Sequence, residues 1–310
     1  MLSMVVLAAV LAQAPAQTAT TSPPPRVETA AAYVPQRVFD TRKKAFTDFE
    51  AMLADLARAD VVLVGEQHDD PNTHRLEAAV LQGLLRRGTS LTLSLEMFER
   101  DAQAPLDGYL AGTMTEDEFL KASRPWPRYA SDYRPMVEMA RMHRWPVVAA
   151  NVPRRLASDV SKSGKDALDR LPAEDQAFVS RDLQCPRDGY FDRFVGQMGG
   201  HPGAGTDQKA QDDQRATVER YYWAQCLKDE TMAESIAGAF EKQNARPGTI
   251  VHYTGAFHSD FGQGTAERVR RRLPGRRVAI VSMMPTGDLD RIDVDDEDLK
   301  RGDYLVFTIK

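Results

Sequence analysis

The chain has 310 residues, a net charge of −5 and a pI near 5.8, with 42% hydrophobic and 27% charged residues. This suits a globular chain with one large domain, or a core carrying a substantial insertion. It excludes the basic footprint that nucleic-acid binding needs. Arg270-Arg271-Arg272 and Arg276-Arg277 are too local to change that and read as a solvated helix end and strand start.

Met4 to Ala12 is an uninterrupted apolar run, followed by Ala14-Pro15-Ala16, the small-residue pattern of a cleavage site. The expectation is an exported protein with a signal peptide over 1–16, although no Lys or Arg precedes Arg26. Residues 17–36, rich in Thr, Pro and Ala, read as a disordered tether. The apolar run is too short to span a membrane, and no later segment approaches the length needed.

The α/β domain is expected over 37–310. Phe46, Phe49, Met52, Leu53 and Leu56 form a helical stripe within 41–58. Val61-Val62-Leu63-Val64, stopped by Gly65, reads as a buried strand. Pro71 then opens an amphipathic helix with Leu76, Ala79, Val80 and Leu84 on one face, closed by Arg86, Arg87 and Gly88. The strand Leu91–Leu95 completes a βαβ unit, so these two strands should be parallel. Further strands are expected at Val147–Ala150, Ile250–Tyr253, Val278–Ser282 and Tyr304–Ile309, the last as an antiparallel edge. The fold class is α/β: an open, mostly parallel sheet with helices on both faces. Two long helical insertions, about 99–145 and 154–245, should cap the strand ends; the second contains a helix over Ala210 to Phe240.

Cys185 and Cys226 are the only two cysteines; a bridge between them suits an oxidising compartment, with two inert buried thiols as the alternative. No Cys-x-x-Cys pair offers a thiolate zinc site.

The chemistry gathers after the strands. The first runs into Gly65-Glu66-Gln67-His68, the second into Glu96, the third into Asn151, and the fourth into Gly255-Ala256-Phe257-His258. Ligands of open α/β sheets bind outside the carboxyl ends of the strands. Parallel strands therefore bring two carboxylates, two imidazoles and an amide to one rim. Glu96, inside Leu95-Glu96-Met97-Phe98, would be costly to bury without a partner. The Gly-x-x-His spelling occurs twice in matched context, with the glycine expected to let the chain turn sharply off the sheet. His74 and His143 read as surface or packing residues on helices, and His252 as a structural strand residue.

Val64-Gly65-Glu66-Gln67-His68-Asp69-Asp70 with His74, then Ser94-Leu95-Glu96-Met97-Phe98, resembles the ChaN family of haem-binding uptake proteins, within the Tiki/TraB superfamily. Gln103, Trp126, Tyr133-Arg134-Pro135, Ala150-Asn151-Val152-Pro153-Arg154, His201-Pro202, Ala224-Gln225 with Met232-Ala233, and Gly255-Ala256-Phe257-His258 extend the resemblance over roughly 37–285. It implies haem as ligand, held at the interface of a homodimer. Unlike the family's lipoproteins, the chain lacks a lipobox Cys, so export without a lipid anchor is expected. The chain is also similar in outline to metal-dependent proteases of the superfamily and to erythromycin-esterase-like proteins.

Two functions follow. A haem binder in uptake or handling needs an axial donor in an aromatic slot, for which Tyr133, Arg154 and the glycine-flanked His201 are the candidate cofactor-binding residues. Tyr190, Tyr221 and Tyr222 stand nearby in sequence. A metal-dependent hydrolase would instead use Glu66, His68, Glu96 and His258 as ligands of a divalent metal, with Asn151 completing the catalytic set. Haem should then sit apart from the strand-end cluster, because carboxylates are not usual axial ligands.

Overall fold

The computed structural model describes residues 35–198, 208–243 and 248–310. The signal peptide, nearly all of the tether, and His201 lie outside them. Pro35–Lys310 forms one compact unit.

Among the described residues, eight strands form a single sheet: β1 (Gln36–Asp40), β2 (Ala45–Thr47), β3 (Val61–Glu66), β4 (Leu91–Glu99), β5 (Val147–Asn151), β6 (Thr249–Gly255), β7 (Val278–Thr286) and β8 (Tyr304–Ile309), in the order β2-β1-β8-β7-β3-β6-β4-β5. The six strands from β3 to β8 that the sequence suggests run parallel. β1 is antiparallel to both β2 and β8. Two expectations need correction here. β8 is not an antiparallel edge: it pairs parallel with β7 and is covered on its other side by β1. The segment before the first helix is strand, so Phe46 belongs to β2, not to a helical stripe, and is exposed.

The helices are α1 (Phe49–Leu56), α2 (Pro71–Arg86), α3 (Gln103–Leu110), α4 (Glu116–Ser123), α5 (Tyr129–Asp132), α6 (Arg134–His143), α7 (Arg154–Ser163), α8 (Asp166–Asp169), α9 (Gly189–Met198), α10 (Gln208–Lys242) and α11 (Thr265–Arg272). Each starts for a local reason where a cap exists. Asp48 accepts from the Ala51 amide to open α1, and Asp70 accepts from the Asn72 amide with Pro71 in the first turn of α2.

Alternate residues of the strands feed two cores. Val62, Val64, Leu93, Leu95, Val251 and Val281 pack with α1, α2 and α6 on one face. Val61, Leu63, Ile250, Val278 and Ile280 pack with Ala233 and Ile236 of α10 and Val269 of α11 on the other. Strands buried on both faces explain the continuous β-branched runs. At the β5 edge, the Gln103 amide accepts from the Ala149 N–H and donates to the Val147 carbonyl, both at 2.8 Å, blunting an open strand edge. Cys185 and Cys226 form a disulfide that ties the segment before α9 to α10. Among the described residues no helix is long and apolar enough to cross a membrane.

Candidate functional site

Glu66 ends β3 and is buried. Its Oε1 receives the Tyr133 hydroxyl at 2.9 Å and faces His68 Nδ1 at 2.5 Å. Burial pushes this carboxyl up, but hydrogen bonds from His68 and His74 outweigh it and hold Glu66 below the usual carboxylate range. The His68 side chain remains 46% exposed and stands edge-on to Trp126 with ring centres 5.1 Å apart. Partial burial pulls its pKa down, but Glu66 and Glu96 raise it above the ordinary value.

The two Gly-x-x-His segments interlock. A Cβ on Gly255 would stand 2.7 Å from His68 Nε2, and one on Gly65 would stand 2.6 Å from Ser259 Oγ and 3.0 Å from Ala256 Cα. The expected reason for these glycines was a sharp turn, yet neither has positive φ. Close approach is what they supply. It brings the first motif's imidazole against the second motif's backbone.

Glu96 lies where β4 slips out of register with β5, between the Leu95 and Glu99 pairings. Its Oε2 accepts from Thr254 Oγ1 at 2.5 Å and from the Gly255 amide at 2.8 Å, and Oε1 faces His258 Nε2 at 3.5 Å. His258 Nδ1 is 2.7 Å from Asp229 Oδ1 on α10. Asp229 is also held by the Thr265 and Tyr190 hydroxyls, at 2.8 and 2.7 Å. Burial opposes charge on all three groups. The pairing prevails: Glu96 and Asp229 are lowered, chiefly by His258, and His258 is raised by Glu96 and Asp229.

Glu66, His68, Glu96 and His258 are thus joined by a continuous series of contacts through Gly255. Asn151 stands apart: its Oδ1 accepts from its own neighbour's amide, Val152, at 2.9 Å, at the far side of β4 from β6. Arg154 is 71% exposed and reaches Glu99 at 4.0 Å. Arg124, 3.3 Å from the same Glu99, is its neighbour. Tyr133 does not lie on a surface apart from the strand ends. It is buried and bonded to Glu66, and burial together with the Glu66 charge pushes its pKa up. Tyr190 and Tyr222 are buried too, their hydroxyls donating to Asp229 and the Pro186 carbonyl; Tyr221 is exposed.

Sequence reading missed three residues. His74, read as a surface or packing residue, is buried but among charged partners: Nδ1 lies 3.4 Å from Glu66 Oε2 and 3.1 Å from Glu77 Oε2, and Nε2 lies 3.4 Å from Asp132. Burial lowers its pKa, but Glu66 and Glu77 push it up to about 10. Burial and the Glu66 charge drive Glu77 well above the carboxylate range. The signal was present in the positions of Thr73, Glu77, Val80 and Leu84, a helical stripe with an acid in its middle. Asp229 sits in the wholly buried run Asp229-Glu230-Thr231-Met232-Ala233 of α10, which has no periodic pattern to betray it. His252, as expected, is structural: it meets Ser94 Oγ at 2.9 Å, and burial lowers it to about 4.

A groove of about 1660 Å³ runs beside the β5 edge, past Arg100, Arg141, Trp145 and Phe178. Among the described residues that line it there is none of the strand-end set and no imidazole, thiol or phenol.

The solved structure of ChaN from Campylobacter jejuni, described as showing cofacial haem binding, is similar in fold, with a TM-score of 0.61 at 17% identity over 89% of this chain and 97% of that one. A Bacillus cereus protein aligns with a TM-score of 0.47 at 10% identity over 84% and 90% of the two chains. An erythromycin esterase in its open conformation gives 0.47 at 12% identity over 81% and 77%. No curated protein matches the sequence. The sequence itself matches the family described as haem-binding uptake, Tiki superfamily, ChaN, over residues 52–269, and the chain belongs to that family.

Proposed function

We propose that this protein binds haem outside the cytoplasm and serves in haem uptake or handling, with the haem held between two copies of the chain. Family membership over most of the domain is the observation that carries the reading. The donor set at the strand ends fits the ligand. His68 is half-exposed, its Nδ1 is engaged by a buried carboxylate, and no described residue hydrogen-bonds its Nε2. A carboxylate-anchored imidazole is a suitable iron donor. Trp126 supplies an aromatic wall, and the exposed guanidinium groups of Arg124 and Arg154 suit the carboxylates of a porphyrin. His201 remains a candidate outside the described residues. Haem, when bound, would supply the iron chemistry; the chain's own part is to ligate, orient and shield it.

Titrating the purified mature protein with haemin and following the Soret band tests this. Saturation near one haem per chain is expected, with His68→Ala weakening it and haemin raising the dimer fraction in light scattering. No Soret shift in the wild-type protein would overturn the reading. Export is supported by the disulfide, since such bonds persist in oxidising compartments. Mass spectrometry of the native protein should find cleavage after about residue 16.

A metal-dependent hydrolase is the second reading, favoured by the meeting of Glu66, His68, Glu96 and His258 in one contact series. It requires that Glu66→Gln or His258→Ala abolish turnover or metal binding.

A further inference from the structure

Beneath His68, on the side closed to solvent, Glu66 and Glu77 are at most 1% exposed and His74 is 4% exposed. One ligand atom from each lies within 4.8 Å of the others. Glu77 Oε1 has no hydrogen-bond partner and Glu66 Oε2 has only the long 3.4 Å approach of His74 Nδ1, although both belong to fully enclosed carboxyl groups. Orphaned buried oxygens of this kind demand a cation or a proton.

Without a metal, a proton and the His74–Glu77 hydrogen bond hold this cluster together; the same spacing also fits a cation. Bonds of about 2.1 Å place neighbouring ligand atoms of one metal roughly 3.0–3.4 Å apart. His74 Nδ1 stands 3.4 Å from Glu66 Oε2 and 3.1 Å from Glu77 Oε2. The other side of the His74 ring is arranged as a metal-ligating histidine requires. Nε2 faces the His68 carbonyl at 3.3 Å and the Asp132 carboxylate at 3.4 Å, two acceptors that hold its hydrogen, so Nδ1, which faces Glu77 and Glu66, is the nitrogen that would give up its proton when a cation binds. Glu66 is oriented in turn by Tyr133 and His68 on its other oxygen.

We propose that Glu66, His74 and Glu77 bind one divalent transition-metal cation, with Asp132 as the positioning carboxylate behind His74. One imidazole and two carboxylates suit Zn²⁺, Fe²⁺ or Mn²⁺ better than Cu⁺, which seeks sulfur. The site shares Glu66 with the strand-end series but does not use Glu96 or His258, and its argument is independent of haem.

The test uses the full mature protein, freed of metal by a chelator and kept without haem. Titration with Co²⁺, followed by its visible absorption and then by displacement with Zn²⁺, should show one saturable site. Glu77→Gln should weaken binding more than tenfold, and Asp132→Asn roughly tenfold to a hundredfold, because the Asp132 carboxylate orients the His74 ring. Asp117→Asn, on the exposed face of α4, should leave affinity unchanged. Circular dichroism checks each variant's fold; if Glu77→Gln fails to fold, Asp132→Asn decides. The proposal is overturned if the folded wild-type protein shows no saturable Co²⁺ site, or if both substitutions bind like wild type. It is equally overturned if Glu96→Gln abolishes binding, which would put the ion among the strand-end residues.

Discussion

Nε2 of His68 occupies the space that a side chain on Gly255 would fill, 2.7 Å from the position of its Cβ. One Gly-x-x-His segment thereby seats the other. The two motifs form a single built object assembled from strands that are neighbours in the sheet but 190 residues apart in sequence.

The two glycines should respond differently to alanine. Gly255→Ala meets the end of a ring that can swing outward, so the fold should survive while haemin affinity falls. Gly65→Ala meets the Ala256 backbone and cannot be relieved by a rotamer change, so it should cost about 1–3 kcal/mol of stability. Urea melts beside Soret titrations separate the two; equal stability losses would contradict the interlock.

Why the motifs were legible and their supports were not follows from these contacts. The strands β3 to β8 announce themselves because burial on both faces demands unbroken apolar runs. β1, with the sequence QRVFD, lacks such a run and owes its state to pairing with β8 at the opposite end of the chain. The site's acids at strand ends were readable from topology. Glu77 and Asp229 were not, because a helix residue's partners lie on other elements: Asp229 matters only once His258, Thr265 and Tyr190 are folded around it. The same holds for Tyr133, whose α5–α6 boundary gives no hint that its hydroxyl reaches Glu66.

Asp229→Asn should flatten the pH dependence of stability. The folded-state pKa of His258 is raised above the unfolded value near 6.5, so its contribution is full below that pH and is lost as pH rises through the folded pKa. Glu96 and Asp229 are depressed, so theirs is present above about pH 4 and lost as pH falls through their folded pKa values. Removing one partner of this buried pair should cost about 3 kcal/mol at pH 6, with a smaller deficit at pH 9. Denaturant melts across pH 5 to 9 would read it; an unchanged difference at both ends would show that the pair does not carry the dependence.

Replacing Cys185 and Cys226 together by serine opens a covalent loop with a sequence separation of 41. Loop-closure entropy predicts a loss of about 4 kcal/mol. The wild-type protein in reducing agent should show the same loss in a urea melt, and the double variant should be indifferent to the reductant.

Tyr133 distinguishes an iron donor from a structural hydroxyl. The phenol is buried, and its proton is committed to Glu66 Oε1 at 2.9 Å, the oxygen that also faces His68 Nδ1. To reach an iron it would have to leave its packing against the His74 ring, break that bond and give up a proton that burial and the Glu66 charge both hold in place. Tyr133→Phe should therefore keep the Soret response and its position, because ring packing is retained and no iron ligand is removed. Its cost should appear in stability instead, about 1–3 kcal/mol for a buried carboxylate that loses a donor. A haemin titration and a urea melt on the same preparation give both numbers. If the Soret shift disappeared while the melt was unchanged, the phenol would be the ligand, and the placement of iron at His68 would have to be abandoned.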